Sequence, residues 1–261
     1  MMKFQENIPL KKYTTFKIGG PARYFFTAKN KSDLLKAVRE AKNRHWRFFL
    51  LGGGSNLLVS DEGYKGLVIK TGKPLSSYIS KGLEWAVGIP GTVEGAVYGN
   101  AGAFGKSMKD AVESVEVFNT ATGKVEIFKN ENCKFAYRES IFKRNKNLVI
   151  LSVKIKQKRS NLKKIKEYLA YRKKNQPLDF PSAGSIFKNP ENYSAGKLIE
   201  KAGLKGEKIG GAQISDIHSN FIVNLGDATA QDVLSLIRLI KETVNKKFKV
   251  KLEEEIIELK Y

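Results

Sequence analysis

A chain of 261 residues with 41% hydrophobic and 10% aromatic side chains can bury a sizeable core, which excludes an intrinsically disordered protein. The lone Cys133 excludes an intramolecular disulfide, and two histidines far apart in sequence, His45 and His218, are too few for a metal cluster, so we expect no metal. The formal net charge is +21, but the lysines are spread along the whole chain, so we favour a lysine-rich solvated surface over a nucleic-acid partner.

Neither a signal peptide nor a membrane helix is expected. The N-terminal sequence MMKFQENIPLKKY lacks the apolar segment of a signal peptide, and no apolar run approaches the length needed to cross a bilayer. We therefore expect a cytoplasmic protein with no membrane partner.

The N-terminal part of the chain alternates between strands and a helix. Ser32 is the expected N-cap of a helix that continues to about Arg44, with apolar side chains along one face. The expected strands are residues 22–28, 46–51 and 66–71. The second strand runs directly into the sequence GGGSN at 52–56, which indicates a small β-α-β region closed by a glycine loop.

A second glycine-rich stretch covers residues 84–105. Its glycines stand at positions 88, 91, 95, 99, 102 and 105, a density that would weaken a helix. Tight turns and bulges explain single glycines, but two glycine loops together favour the close approach of a ligand to the backbone.

From about residue 113 onward the sequence predicts further strands and three helices. Ser194 is expected to cap a short helix that ends at Gly203, and Thr229 with Asp232 forms a capping box for an amphipathic helix over 230–247. A basic helix is expected over 161–175. The expected strand regions are residues 114–120, 125–129, 147–157, 212–225 and 250–259.

Residues 181–190, PSAGSIFKNP, are expected to form a loop, because each bracketing proline disfavours helix at the residue before it. Within this loop Ser185 places a hydroxyl after Gly184 and before an apolar pair, a lysine and an asparagine. On these residues alone we favour a serine that caps the next element over a catalytic hydroxyl.

Two common phosphate-binding motifs are absent. A dinucleotide fingerprint that starts at Gly52 would need glycine at the position of Leu57. A P-loop that ends at Lys106-Ser107 would need glycine at the position of Asn100. A strand followed by GGGSN can instead hold a pyrophosphate through main-chain N–H groups, and two such loops that face each other would hold a dinucleotide.

Six motifs occur together in the order and spacing of one enzyme family. They are LGGGSNLLVSD (51–61), GIPGTVEGAVYGNAGAFG (88–105), YRESIF (137–142), PSAGSIFKNP (181–190), AGKLIEKAGLKG (195–206) and LEEEI (252–256). Over nearly the whole chain the sequence resembles the UDP-N-acetylenolpyruvoylglucosamine reductase (MurB) family, and in particular its shorter class, which lacks an extra tyrosine-bearing loop.

The resemblance implies an α+β fold. It implies an FAD-binding domain of the vanillyl-alcohol-oxidase (PCMH) type, built from two subdomains, followed by a C-terminal α+β substrate-binding domain. The implied boundaries are FAD-binding subdomain 1 at 1–70, FAD-binding subdomain 2 at 71–175 and the substrate-binding domain at 176–261. We expect a monomer.

The resemblance also implies a reaction in peptidoglycan precursor synthesis. In this family NADPH reduces non-covalently bound FAD, which then passes hydride to C3 of the enolpyruvyl ether of UDP-N-acetylglucosamine. Delivery of a proton to C2 completes UDP-N-acetylmuramate. The implied partners are the UDP-sugar substrate and NADPH.

Particular residues match the family's functional positions. Arg138 would stabilise the enolate-like charge that builds on the substrate's carboxylate, and Glu255 would lie beside that carboxylate. Ser185 would donate the proton to C2. The implied cofactor-binding residues are Gly52, Gly53, Gly54, Ser55, Asn56, Leu57, Gly88, Pro90, Gly91, Thr92, Asn100 and Ala101. The implied substrate-binding residues are Tyr137, Lys188, Asn189 and His218.

Each match has a structural alternative. Arg138 is equally typical of a strand end, Glu255 is one of three successive carboxylates on a solvated strand, and His218 is typical of a buried, hydrogen-bonded histidine. The chain also departs from the family where Glu94 replaces a common glycine. We expect its carboxylate to point away from the pyrophosphate.

Two rival functions remain open. One is an oxidase of the same fold, although many of these tether flavin through His or Cys, and neither occurs in the two glycine loops. The other is a basic nucleic-acid-binding protein without a cofactor, which leaves the glycine loops unexplained.

Overall fold

The computed structural model describes residues 2–260, which form a mixture of strands and helices. The strands are β1 (Gln5–Pro9), β2 (Pro21–Thr27), β3 (Phe48–Leu51), β4 (Leu57–Val59), β5 (Tyr64–Lys70), β6 (Gly102–Ala103), β7 (Lys106–Ser107), β8 (Val112–Asn119), β9 (Val125–Lys129), β10 (Leu148–Ile155), β11 (Ser182–Ser185), β12 (Lys208–Ile209), β13 (Ala212–Ile214), β14 (Phe221–Asn224) and β15 (Ile257–Leu259). The α-helices are α1 (Lys31–Asn43), α2 (Val93–Tyr98), α3 (Met108–Ala111), α4 (Ile141–Arg144), α5 (Leu162–Asn175), α6 (Ala195–Lys201) and α7 (Ala230–Phe248). Among these helices, none is both long enough and apolar enough to cross a membrane. The expected mixture of helices and strands is confirmed.

Two compact units share the chain. The first unit contains residues 2–4, 26–53 and 67–171. The second unit contains residues 5–25, 54–66 and 172–260. One of the points at which the chain passes from one unit to the other lies inside the first glycine loop, between Gly53 and Gly54.

An antiparallel sheet in the order β10-β8-β9 forms the centre of the first unit. Buried Val115 and Val117 of β8 alternate with less buried neighbours, as expected for a strand with one face in the core. They share that core with Trp85, Val97 and Phe142. Helices α1 and α2 pack against β10, so the helix that follows the second glycine loop is anchored on the core.

The first glycine loop follows a parallel strand pair of the same unit. Strand β3 pairs with the second half of β5, with Phe48 opposite Leu67 and Leu51 opposite Lys70. The N–H of Thr71 donates to the carbonyl of Leu51 at 2.9 Å, which fixes the end of β3 where the loop begins.

An antiparallel sheet in the order β11-β14-β13-β12 and helix α7 form the main core of the second unit. The buried stripe of α7 consists of Ala230, Val233, Leu236, Ile237, Ile240 and Val244. Both halves of the predicted capping box are present, since Thr229 accepts from the N–H of Asp232 and the Asp232 carboxylate accepts from the N–H of Thr229. In the same unit β4 pairs in parallel with β15, with Leu57 opposite Ile257.

Three local expectations are wrong. Asn30 and not Ser32 is the N-cap of α1, because the Asn30 backbone is extended and its Oδ1 accepts from the N–H of Asp33 at 2.9 Å. Residues 182–185 form strand β11 and not a loop, because they pair with β14. The C-terminal strand is limited to β15, since Lys249 adopts a left-handed conformation and Glu254 makes only an isolated bridge to Phe187.

Candidate functional site

The first glycine loop packs closely on the second. A Cβ atom at Gly52 would lie 2.5 Å from Oγ1 of Thr92, and one at Gly53 would lie 2.4 Å from Cα of Gly91. Gly54 has φ +62°, and a Cβ there would lie 2.3 Å from a main-chain carbonyl oxygen. Close contacts within the protein therefore favour glycine at all three positions.

The second glycine loop is held in one conformation by its neighbours. Gly88 and Gly91 have φ +76° and +133°, conformations that residues other than glycine rarely adopt. The carbonyl of Gly91 accepts from the N–H of Leu75 at 3.0 Å. Oγ1 of Thr92 accepts from the N–H of Gly95 at 3.2 Å and caps α2. This loop is thus preformed, with Pro90 exposed between the two glycines.

The first glycine loop also carries a row of main-chain N–H donors. The row consists of the N–H groups of Gly52, Gly53, Gly54, Ser55 and Asn56. None of them donates a hydrogen bond to another group within residues 2–260. Main-chain donors in partly buried loops normally find a partner, and phosphate oxygens are a common one for consecutive N–H groups. The row therefore fits a phosphate or pyrophosphate.

Asn100 and Ala101 differ from this row, because their N–H groups are used inside the protein. They donate to the carbonyls of Val97 and Ala96 at the end of α2. The Asn100 side chain, in a residue only 5% exposed, accepts from the N–H of Lys109 and donates to the carbonyl of Ala136 at 2.7 Å. Asn100 thus ties the second glycine loop to the segment that carries Arg138.

Arg138 lies at the tip of a tight turn. Ala136 and Glu139 exchange two main-chain hydrogen bonds of 3.0 and 3.1 Å, which leaves Tyr137 and Arg138 as the central residues. The φ angle of Arg138 is +55°, an uncommon conformation for a residue with a side chain. Its Nη1 donates to the carbonyl of Gly102 at 3.1 Å, and Tyr137 is 56% exposed. The turn therefore fixes a guanidinium at the exit of the second glycine loop.

Ser140 fixes the other end of this turn. Its Oγ donates to the carbonyl of Tyr98 at 2.7 Å and accepts from the N–H of Lys143 at the start of α4. Ser140 is fully buried. The motif YRES is therefore anchored by Asn100 and Ser140, whose roles the sequence alone did not indicate.

Ser185 lies in the second unit at the end of a bulged strand. Ser182 is opposite Val223 and Ser185 is opposite Phe221, so β11 has one residue more than β14 between these pairs. Gly184, with φ +76°, lies in this irregularity. Bulges re-aim the side chains that follow them, and here the re-aimed residue is the partly buried Ser185.

Asn220 clamps the residues that follow Ser185. Its Nδ2 donates to the carbonyl of Phe187 at 2.8 Å, and its Oδ1 accepts from the N–H of Phe187 at 3.0 Å. Its own carbonyl accepts from the N–H of Ile186 at 2.9 Å. Asn220 is 4% exposed, and sequence reasoning missed it because its partners are more than thirty positions away.

Glu255 is attached to the same segment. Its N–H donates to the carbonyl of Ile186 at 2.8 Å, directly after Ser185. Glu255 is partly buried, whereas Glu253 is exposed and pairs with Lys188 at 2.5 Å. The main chain of Glu255 is thus bonded to the residue that follows Ser185. Burial distinguishes Glu255 from Glu253, which the sequence periodicity could not do.

Lys188 and Asn189 also have partners within the protein. The N–H of Lys188 donates to the carbonyl of Glu253 at 2.9 Å, which extends the pairing of this segment with the C-terminal stretch. Oδ1 of Asn189 accepts from the N–H of Ala195 at 3.0 Å, at the start of α6. Asn189 is otherwise exposed.

His218 is a hydrogen-bonded, partly buried histidine. Its Nδ1 accepts from the N–H of Asn220 at 3.2 Å, and its ring packs edge-on against Phe221. A Cβ at Gly196 would lie 3.2 Å from its Cε1. Burial lowers its pKa from the ordinary value of 6.5, so the imidazole is neutral at pH 7.

Glu94 has a clear role in the first unit. Its carboxylate accepts from the N–H of Lys73 at 2.8 Å, which links α2 to the segment after β5. Burial raises the pKa of this carboxyl. Across the described residues, no group of three or more His, Cys, Asp or Glu side chains could hold a metal ion.

Known proteins resemble the chain along nearly all of its length. Residues 176–259 match the family model described as UDP-N-acetylenolpyruvoylglucosamine reductase, C-terminal domain. The UDP-N-acetylenolpyruvoylglucosamine reductase of Caldanaerobacter subterraneus subsp. tengcongensis is 44% identical over 97% of this chain and 93% of its own length. That of Caldicellulosiruptor bescii is 43% identical over 98% and 90%. The crystal structure of UDP-N-acetylenolpyruvylglucosamine reductase (MurB) from Thermus caldophilus has a TM-score of 0.84 and 36% identity, and covers 100% of both chains.

Proposed function

The chain belongs to the UDP-N-acetylenolpyruvoylglucosamine reductase family, and on this premise we propose that it reduces the enolpyruvyl ether of UDP-N-acetylglucosamine to UDP-N-acetylmuramate. It is an oxidoreductase of peptidoglycan precursor synthesis, and we propose NADPH as its reductant. The observation that carries the proposal is the similarity over the whole chain to enzymes of this name. It includes the glycine loops and the segment of Ser185.

The residues of the glycine loops fit a non-covalently bound FAD. The N–H groups of residues 52–56 would hold its pyrophosphate, since they have no other partner in the described part of the chain. Leu57, Gly88, Pro90, Gly91 and Thr92 would complete the cofactor site, with Asn100 and Ala101 shaping the second loop. The chemistry that FAD supplies when bound is the transfer of two electrons from NADPH to C3 of the substrate.

Ser185 is the proposed proton donor to C2. A serine hydroxyl is a weak acid in water, so this role depends on its position and on neighbouring charges more than on its free pKa. The bulge at Gly184 and the clamp of Asn220 on Phe187 restrict the backbone that carries the hydroxyl. A fixed donor loses little entropy when the proton is transferred.

Arg138 is proposed to stabilise the negative charge that develops on the substrate carboxylate. A preorganised cation stabilises such charge without reorganisation during the reaction, and the docked turn preorganises this guanidinium. Glu255 would act near the same carboxylate. Tyr137, Lys188, Asn189 and His218 are proposed to contact the substrate, His218 as a neutral ring.

The finer architecture is part of the proposal. We infer an FAD-binding domain of the vanillyl-alcohol-oxidase type with subdomains at 1–70 and 71–175, and a substrate-binding domain at 176–261. The full-length likeness to a MurB crystal structure supports this arrangement. We further propose a monomer that acts in the cytoplasm, where NADPH and nucleotide sugars are available.

The visible absorption spectrum of the purified protein tests the proposal. A flavin spectrum that NADPH bleaches, and that returns anaerobically only after addition of the enolpyruvyl substrate, would support cofactor, reductant and substrate together. A colourless protein that cannot be reconstituted with FAD would refute it. Return of the spectrum with oxygen but not with substrate would favour the oxidase.

A further inference from the structure

We propose that Asn56, the last residue of the GGGSN run, is a positioning residue for Glu255. The inference rests on the proposed function and deepens it. It assigns the Asn56 side chain to the reduction of the substrate through Glu255, and leaves only its main-chain N–H for the cofactor.

Asn56 holds the main chain on both sides of Ile256. Its Nδ2 donates to the carbonyl of Glu255 at 3.0 Å. Its carbonyl accepts from the N–H of Ile257 at 3.0 Å. A single residue thus fixes the two peptide groups that follow the Cα atom of Glu255.

The side chain continues a ladder that the backbone cannot. The parallel pairing of β4 and β15 begins with Leu57 opposite Ile257. Before that point the chain turns at Gly54, whose φ is +62°. The Asn56 side-chain amide donates to the carbonyl of Glu255, two residues before Ile257, and so extends the contact between the two stretches beyond the paired strands.

The opposite side of Glu255 is also fixed. Its N–H donates to the carbonyl of Ile186, the residue after Ser185. The main chain of Glu255 is consequently held by Asn56 on one side and by Ile186 on the other. Loss of the Asn56 side-chain bond would release the carbonyl of Glu255. A small displacement of a reacting group has large effects on rate, which is why this bond matters for the reaction.

The required side chain is specific. Alanine has no donor, and aspartate has the same size but presents a carboxylate to the Glu255 carbonyl. A protonated aspartic acid can again donate a hydrogen bond. The pair of variants Asn56→Ala and Asn56→Asp therefore separates the donor from the volume of the side chain.

Anaerobic stopped-flow absorbance with the flavin-loaded enzyme tests the inference. It follows separately the reduction of the flavin by NADPH and its reoxidation by the enolpyruvyl substrate. We expect Asn56→Ala to slow reoxidation by the enolpyruvyl substrate by about ten- to a hundredfold. We expect bleaching by NADPH and the FAD Kd, measured by flavin fluorescence, to stay within about threefold of wild type, because the main-chain N–H row remains. For Asn56→Asp we expect the reoxidation rate, relative to wild type, to recover as the pH is lowered. If Asn56→Ala does not fold, Asn56→Asp carries the test alone.

A double-mutant cycle with Glu255→Gln gives the decisive result. If Asn56 acts through Glu255, Asn56→Ala should add little to the defect of Glu255→Gln. Multiplied defects in the double variant, or a loss of FAD affinity as large as the loss of rate, would overturn the inference. Asn130→Ala is the matched control, since that side chain also donates to main-chain carbonyls but belongs to the first unit, whereas Glu255 belongs to the second.

Different results would refute the proposed function and the role of Asn56. A wild-type flavin that the substrate does not reoxidise would refute the proposed function and this inference with it. If the substrate reoxidises the wild-type flavin, but the rate defects of the two single variants multiply in the double variant, only the inference about Asn56 is refuted.

Discussion

Replacing Asn220 with alanine should lower the free energy of unfolding by about 2–6 kcal/mol, because two buried groups lose their partners. Asn220 is 4% exposed, and its amide bonds both the N–H and the carbonyl of Phe187 at 3.0 and 2.8 Å. Phe187 is itself only 1% exposed, so water cannot replace the lost bonds without opening the core. Each unsatisfied buried group costs about 1–3 kcal/mol, which gives the stated range.

Urea denaturation measures this loss, and Asn224→Ala is the matched control. Asn224 is 3% exposed and is the last residue of β14, the strand that begins directly after Asn220, and its side chain bonds the carbonyl of Phe16 and the N–H groups of Gly226 and Ala228. Both variants should lose stability. Only Asn220→Ala should also slow reoxidation of the flavin by substrate under conditions where both proteins are folded.

Two results would refute this reasoning. A loss of less than about 1 kcal/mol would mean that the clamp on Phe187 is not a buried, unreplaced pair of hydrogen bonds. Equal slowing of reoxidation by both variants would mean that the effect follows from general destabilisation, and not from displacement of Ser185.

Three further predictions concern the glycine loops, the histidine and the serine. Gly53→Ala should lower the free energy of unfolding by about 1–3 kcal/mol and weaken FAD binding in a fluorescence titration, because its Cβ would lie 2.4 Å from the Gly91 backbone. His218→Gln should flatten the pH dependence of the urea midpoint: the buried imidazole has a pKa below 6.5, so the wild type keeps its full stability above pH 6.5 and loses part of it as the pH falls through the lowered pKa. Ser185→Ala should leave FAD binding and bleaching by NADPH intact but slow reoxidation by substrate by about 10²–10⁴-fold in stopped flow.

Each of these predictions has its own contrary result. Gly105→Ala is the control for the glycine loop, because Gly105 has φ +73° but nothing within 4 Å of its Cβ position; equal damage from both variants would exclude a steric cause. An unchanged acid limb of the stability curve in His218→Gln would show that another group titrates. Loss of bound FAD in Ser185→Ala would count against the proton-donor role.

The elements that could be predicted are those specified by neighbouring residues. The capping box of α7 joins Thr229 and Asp232, three positions apart, and both hydrogen bonds are present. Ser194 likewise caps α6 as expected, through the N–H of Lys197. The cap of α1 was misplaced because Asn30 and Ser32 are both good caps, and only the extended backbone of Asn30 decides between them.

The parts that could not be predicted depend on distant partners. Strand β11 exists because β14 pairs with it, and the prolines at 181 and 190 indicate only where helix is disfavoured. The Asn220 clamp and the Asn56 bond to Glu255 join residues 33 and 199 positions apart. Those separations carry no periodic signal in a single sequence.

The division of the second unit into separate stretches has a consequence for protein synthesis. Phe16, Ile18 and Leu58 belong to the same core as Ile186, Val233 and other residues from the C-terminal part. The ribosome therefore makes three buried side chains of this core long before their partners exist. Until translation reaches α7 and β15, this apolar surface stays exposed to chaperones and to other nascent chains. A fragment that begins at residue 176 would have the opposite defect, because it lacks those three side chains and also β4, the strand that pairs with β15.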